Sequence, residues 1–178
     1  MGTAPPAGSG WRALGLQRPE RRRKTAALGV GAGVAAIVVF VAVQVLVVGL
    51  LQAVGVTLPA LDQSRFNPLD GNLPLFLLMV GLAWTTIAFG EELFYRAFLV
   101  TRLVDHTRVG RWGAILLAGA AFGVVHVAEG PVGILSNGAF GVLFGWIYLR
   151  SGRTLWITVV GHGLINTVRF ALLYLGAV

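Results

Sequence analysis

The stretch Leu73-Pro-Leu-Phe-Leu-Leu-Met-Val-Gly-Leu-Ala-Trp-Thr-Thr-Ile-Ala-Phe-Gly-Glu-Glu-Leu-Phe-Tyr-Arg-Ala-Phe-Leu-Val100 decides how this chain is built. It is long and apolar enough to cross a bilayer, which takes about 20 residues of helix. Yet its second half holds Glu91, Glu92 and Arg96. A carboxylate in hydrocarbon costs about 3 kcal/mol on insertion scales, so charges inside a span face protein or a cavity and mark function.

The remaining composition fits that setting. Of 178 residues, 56% are hydrophobic and only 12% charged, and the mean hydropathy of +0.80 excludes an ordinary soluble domain. Cysteine is absent, which excludes disulfides, thiolate nucleophiles and Cys-built zinc sites and leaves His and carboxylates as the strong metal ligands. Apolar runs place spans near Ala26–Val54, Leu73–Val100, Trp112–Ala128, Val132–Leu149 and Thr154–Gly176. The expected fold class is all-α: a multi-pass transmembrane helical bundle of about five spans. Gly29-x-x-x-Gly33 and Gly141-x-x-x-Gly145 fall inside spans and would let helices approach closely.

Charge orients the bundle. The net charge is +7, and Arg12, Arg18, Arg21, Arg22, Arg23 and Lys24 precede the first apolar run, opposed only by Glu20. No aromatic interleaving or binding fold accompanies them, so they are topological charges facing anionic lipid, and no nucleic-acid partner is expected. The loop with Asp62, Arg65 and Asp70 is slightly acidic; Arg102, Asp105, Arg108 and Arg111 are net basic; Glu129 is acidic; Arg150 and Arg153 are basic. That alternation puts the N-terminus in the cytoplasm and the C-terminus outside. The basic start resembles a signal-peptide n-region, but the uncharged run from Thr25 to Leu61 exceeds an h-region of ~7–15 residues and should remain as an anchor. The expected organisation is a disordered basic cytoplasmic tail over 1–25, a first transmembrane helix and external loop over 26–72, and a four-helix catalytic core over 73–178.

Glu91, Glu92 and Arg96 share the spans with His126, His162 and Asn166. Glu92 and Arg96 are four apart on one helix face and should pair, whereas Glu91 points about 100° away and has no helical partner. His162 and Asn166 are also four apart, and Phe122 lies one turn before His126. Counting from the cytoplasmic ends at ~1.5 Å per residue puts Glu91 roughly 15 Å deep, His126 roughly 22 Å, and His162 and Asn166 roughly 14–20 Å. One mid-membrane slab holds all four. Each residue alone has a plainer reading: a packing histidine, an interhelical Asn, a cavity-wall Phe122, glue at Ser136 and Asn137, a solvated Glu129 at the outer boundary. Three polar clusters on three helices at one depth are not explained that way.

The ordered set Gly90-Glu-Glu-Leu-Phe-Tyr-Arg96, Phe122-Gly-Val-Val-His126 and His162-Gly-Leu-Ile-Asn166 resembles the CPBP family, the CAAX-protease and bacteriocin-processing intramembrane peptidases also called Abi. The resemblance runs from about Leu73 to Val178. It implies an intramembrane endopeptidase acting on a membrane-associated or hydrophobic peptide substrate. In that reading Glu91 is the general base with His126 assisting, His162 and Asn166 stabilise the oxyanion, and Glu92, Arg96 and Phe122 support them. No acyl-enzyme is implied, since no serine or cysteine nucleophile accompanies a base. The cofactor stays open between none and a divalent metal such as zinc, held by His126, His162 and Glu91 if one is bound; there is no His-Glu-x-x-His helix. Two other classes fit the same residues: a non-catalytic membrane immunity or scaffold protein, and a small proton or cation transporter. The Ala, Gly, Val and Arg bias points to a GC-rich bacterial source and a place in the cytoplasmic membrane, in contact with lipid. Oligomeric state leaves no mark in the sequence.

Overall fold

A computed structural model describes residues 14–58 and 63–177. Arg12 of the tail and Asp62 of the first loop lie outside the described residues. Among the described residues every regular element is helical. Helix α1 spans Arg22–Ala53, and a tight 3-10 segment, Ser64–Leu69, leads to α2. Helix α2 runs continuously over Leu73–His106. Helix α3 is Gly110–Val124, α4 is Gly130–Arg150, and α5 is Leu155–Tyr174. Four of these runs are long and apolar enough to cross a membrane, and α3 is a shorter apolar helix. The chain is an integral membrane protein with a multi-pass helical bundle.

Starts and stops follow local chemistry. Asn72 caps α2 by accepting from the Leu75 amide at 3.1 Å, and Pro74 and Pro131 sit in the first turns of α2 and α4, where a missing N–H costs nothing. One boundary differs from expectation. The apolar run predicts a third span over Trp112–Ala128, but α3 ends at Val124 after 15 residues, a length of about 22 Å against a hydrocarbon core of about 30 Å. The following residues are still apolar, so hydropathy continues through Val125 and Val127 while the backbone turns. A 3-10 turn over Val127–Glu129 and Gly130, at φ 71°, redirect the chain into α4. His126 therefore lies in a turn, not within a helix.

Helix α2 is not uniform. Two wider π-helical stretches, Ala83–Ala88 and Leu93–Val100, flank the short α-helical segment Phe89–Glu92. Such widening recurs at functional sites, because it turns side chains away from their regular α-helical directions.

Small residues set the spacing of the bundle. A β-carbon on Gly33 would come 3.0 Å from the Gly161 carbonyl oxygen, so α1 and α5 touch backbone to backbone beside His162. On the other flank, a β-carbon on Gly141 would lie 2.9 Å from the Gly119 α-carbon, which locks α3 to α4. Both glycine pairs noted in the sequence thus lie at helix contacts. Leu14 and Leu16, grouped by composition with the tail, pack on the apolar cluster around Tyr148 and Leu155. The Gly15 carbonyl between them accepts a bond from the Leu155 amide at 3.3 Å. A two-pronged ion pair joins Arg153 of the α4–α5 turn to Asp105 near the end of α2, at 2.6 and 2.7 Å.

Candidate active site

The site forms where α2 crosses α5. Arg96 Nε lies 3.1 Å from Glu92 Oε2, and both side chains are almost wholly buried, at 1% and 0% exposure. That is the i, i+4 pair expected from the spacing. The rest of the guanidinium makes no hydrogen bond. It rests instead among aromatic faces, 4.8 Å from the Phe122 centroid, 5.5 Å from Phe140 and 5.6 Å from Phe144. Attraction between a desolvated cation and ring quadrupoles offsets the lost hydration. The aromatic box is thus what makes a buried arginine tolerable.

Glu92 reaches further than its ion pair. Its Oε1 lies 2.9 Å from His162 Nδ1. An ionised carboxylate only accepts, so Nδ1 carries the hydrogen and the ring is held in one orientation. The opposite nitrogen, Nε2, lies 3.8 Å from Glu91 Oε2. One imidazole thus separates the two glutamates: Glu92 holds it from behind, and Glu91 faces its free edge. Glu91 is about one-third exposed, and its buried Oε2 has no hydrogen-bond partner. His162, His126, Arg96 and Glu92 are near enough to act on its charge.

Asn166, one turn beyond His162 on α5, presents a buried Nδ2 without a partner. His126 Nδ1 donates to the Phe122 carbonyl at 2.8 Å, since a carbonyl can only accept, and this leaves Nε2 as an acceptor. Phe122 is the common wall: its ring is 4.8 Å from that of His126, 6.2 Å from that of His162 and 4.9 Å from that of Tyr95. The helix crossing is set by Trp84, whose indole donates to Thr167 Oγ1 at 3.0 Å and lies over Gly163, where a β-carbon would come within 2.6 Å of the ring.

A model of the Rce1-like type II CAAX prenyl endopeptidase family matches residues 73–168, just over half of the 178 residues. The chain belongs to that Rce1-like family. Neither a curated protein nor a solved structure gave a match. Membership brings the activity at its coarsest, an intramembrane endopeptidase, and agrees with the resemblance carried by the three motifs. The matched segment takes in α2 to most of α5 and leaves out α1.

A metal site does not fit this Rce1-like centre. Among the described residues no three His, Asp or Glu side chains converge as ligands. The set His126, His162 and Glu91 therefore does not form a three-donor cradle of the kind a catalytic zinc requires.

Two charged residues play parts that the spacing had not suggested. Glu129 is not simply solvated: its Oε2 accepts from Asn137 Nδ2 at 3.0 Å, and its Oε1 lies 3.8 Å from Arg169. Arg169 is the single charged residue of α5, seven positions after His162. Its presence inside an apolar run was the signal available to find it.

Proposed function

We propose that this Rce1-like endopeptidase hydrolyses a peptide bond in a membrane-associated substrate with Glu91 as general base. The observation that carries the reading is a matched pair of unused groups beside one anchored imidazole. Glu91 Oε2 is an acceptor without a donor, Asn166 Nδ2 is a donor without an acceptor, and His162, one helical turn before Asn166 and 3.8 Å from Glu91, is held by Glu92.

Glu91 takes a proton from water as the water oxygen bonds to the scissile carbonyl carbon. The carbonyl oxygen becomes an oxyanion and accepts from Asn166 Nδ2 and, with His162 in its charged form, from Nε2–H. Before that transfer Arg96⁺, Glu92⁻, His162⁺ and Glu91⁻ form an alternating row with no net charge, the arrangement a low-dielectric interior tolerates best, and once Glu91 is neutral the oxyanion takes over its negative charge. Preorganised donors of this kind are worth about 3–4 kcal/mol each to the transition state. His126 Nε2, as an acceptor, assists Glu91 at the water, and when the C–N bond breaks the proton held by Glu91 passes to the leaving amine. The prenylated Cys-a-a-X peptides for which the family is described are the first substrates to try.

Positioned acid–base groups contribute 10²–10⁴-fold, so Glu91→Gln is expected to lower kcat by about 10³-fold with the protein still folded. Comparison of membrane peptides between wild type and Glu91→Gln by mass spectrometry would identify the products. Normal turnover by Glu91→Gln would falsify the base assignment. Activity should also survive a chelator; its loss, with recovery on adding zinc, would overturn the metal-free chemistry.

A further inference from the structure

We infer that Arg169 forms a subsite for the C-terminal carboxylate of the peptide substrate; this rests on the endopeptidase reading above. Arg169 follows His162 by seven residues on α5, which brings it back to within about 20° of the same face, with Asn166 between them. The rise over those seven residues is roughly 10 Å. A fully extended tripeptide spans about the same distance, ~10 Å. A Cys-a-a-X sequence ends the chain that carries it, so cutting after its Cys releases three residues that end in a carboxylate. With the scissile carbonyl at His162 and Asn166, that carboxylate reaches Arg169.

The state of Arg169 suits an exchangeable ligand. Its side chain is 43% exposed, and its ion-pair partner Glu129, 21% exposed, stands off at 3.8 Å, beyond hydrogen-bond length. The guanidinium also lies 5.5 Å from the Phe66 ring, which steadies it at the rim without using its donors. Glu129 is held from the other side by Asn137, so it can release Arg169 without moving away. A planar guanidinium takes a carboxylate through two parallel hydrogen bonds, a geometry the loose Glu129 contact does not achieve.

The test compares one farnesylated Cys-a-a-X peptide in two forms, with a free carboxylate and with a C-terminal amide. Wild type is expected to cleave the acid with a KM about 10-fold or more below that of the amide, since a hydrogen bond to a charged group is worth that much. Arg169→Gln should erase the difference by raising KM for the acid alone, and Arg169→Lys should restore part of it. Glu129→Gln, which frees the guanidinium, should widen it. Binding of both peptides to the Glu91→Gln protein gives the same comparison without turnover. Equal handling of acid and amide by wild type would sink the carboxylate subsite and leave the endopeptidase standing, as would an Arg169→Gln loss shared by both peptides. Failure of wild type to bind or cut either peptide would overturn the substrate class itself, and the subsite with it.

Discussion

Two Glu–Arg pairs sit in the bundle, and they have little in common beyond their charges. Glu92 and Arg96 lie on consecutive turns of one helix, at 3.1 Å, without water access and surrounded by rings. Glu129 and Arg169 come from different elements, stand 3.8 Å apart and are partly exposed. The first pair is fixed because neither charge can be left alone in a dry interior. The second can be undone because each partner has another contact and some access to solvent. On the proposed reading, the rigid pair aims His162 and the loose pair at the rim exchanges one carboxylate for another.

The comparison breaks most visibly at Arg96. Arg96→Gln strands Glu92 in a closed aromatic box, and loss of one buried partner costs about 3–5 kcal/mol; thermal unfolding in detergent should show a large fall in Tm and no cleavage. Replacing both partners, Glu92→Leu with Arg96→Met, should recover most of that stability, because a buried pair and a well-packed apolar pair are close in energy. Activity should stay absent, since His162 has lost its anchor. Recovery of cleavage by the double variant would show that Glu92 acts only through packing. Next in size is Gly161→Ala, whose β-carbon would meet the Gly29 oxygen and the Gly33 nitrogen at 3.0 Å. Overpacking of that kind costs about 1–3 kcal/mol; unfolding should register it, and kcat should fall as His162 shifts. Arg169→Gln comes below this, with stability within about 0.5 kcal/mol of wild type. Asp105→Asn, which removes a partly exposed ion pair with Arg153, should cost about 0.2–1 kcal/mol and become harder to detect at high salt.

Much of this was legible in the chain. The five helices follow from runs of apolar residues, and the Glu92–Arg96 pair follows from a spacing of four. The remainder was hidden for definite reasons. Hydropathy measures how long an apolar run lasts, and it could not see the chain turn at Val125 while still apolar. Counting at 100° per residue assumes an α-helix, so it was blind to the π stretches on either side of Phe89–Glu92. Glu91 and Glu92 themselves lie in the α-helical segment, so their separation holds, and they face opposite nitrogens of one ring. The bond between Glu92 and His162 joins residues 70 positions apart, and no local pattern encodes it. Arg169 was visible as a letter but not as a site, because only the pairing of α5 with the Glu129 turn shows what it faces.

The backbone contact between α1 and α5 bears on how far the catalytic unit extends. Gly161 immediately precedes His162, and α1 presses against it with no side chain between. The segment matched to the family begins at residue 73 and therefore omits this support. Helix α1 therefore limits how far the backbone that carries His162 can shift away from α2. A related chain with a different first helix would hold the same three motifs against a different stop, and its turnover could diverge with every motif residue unchanged.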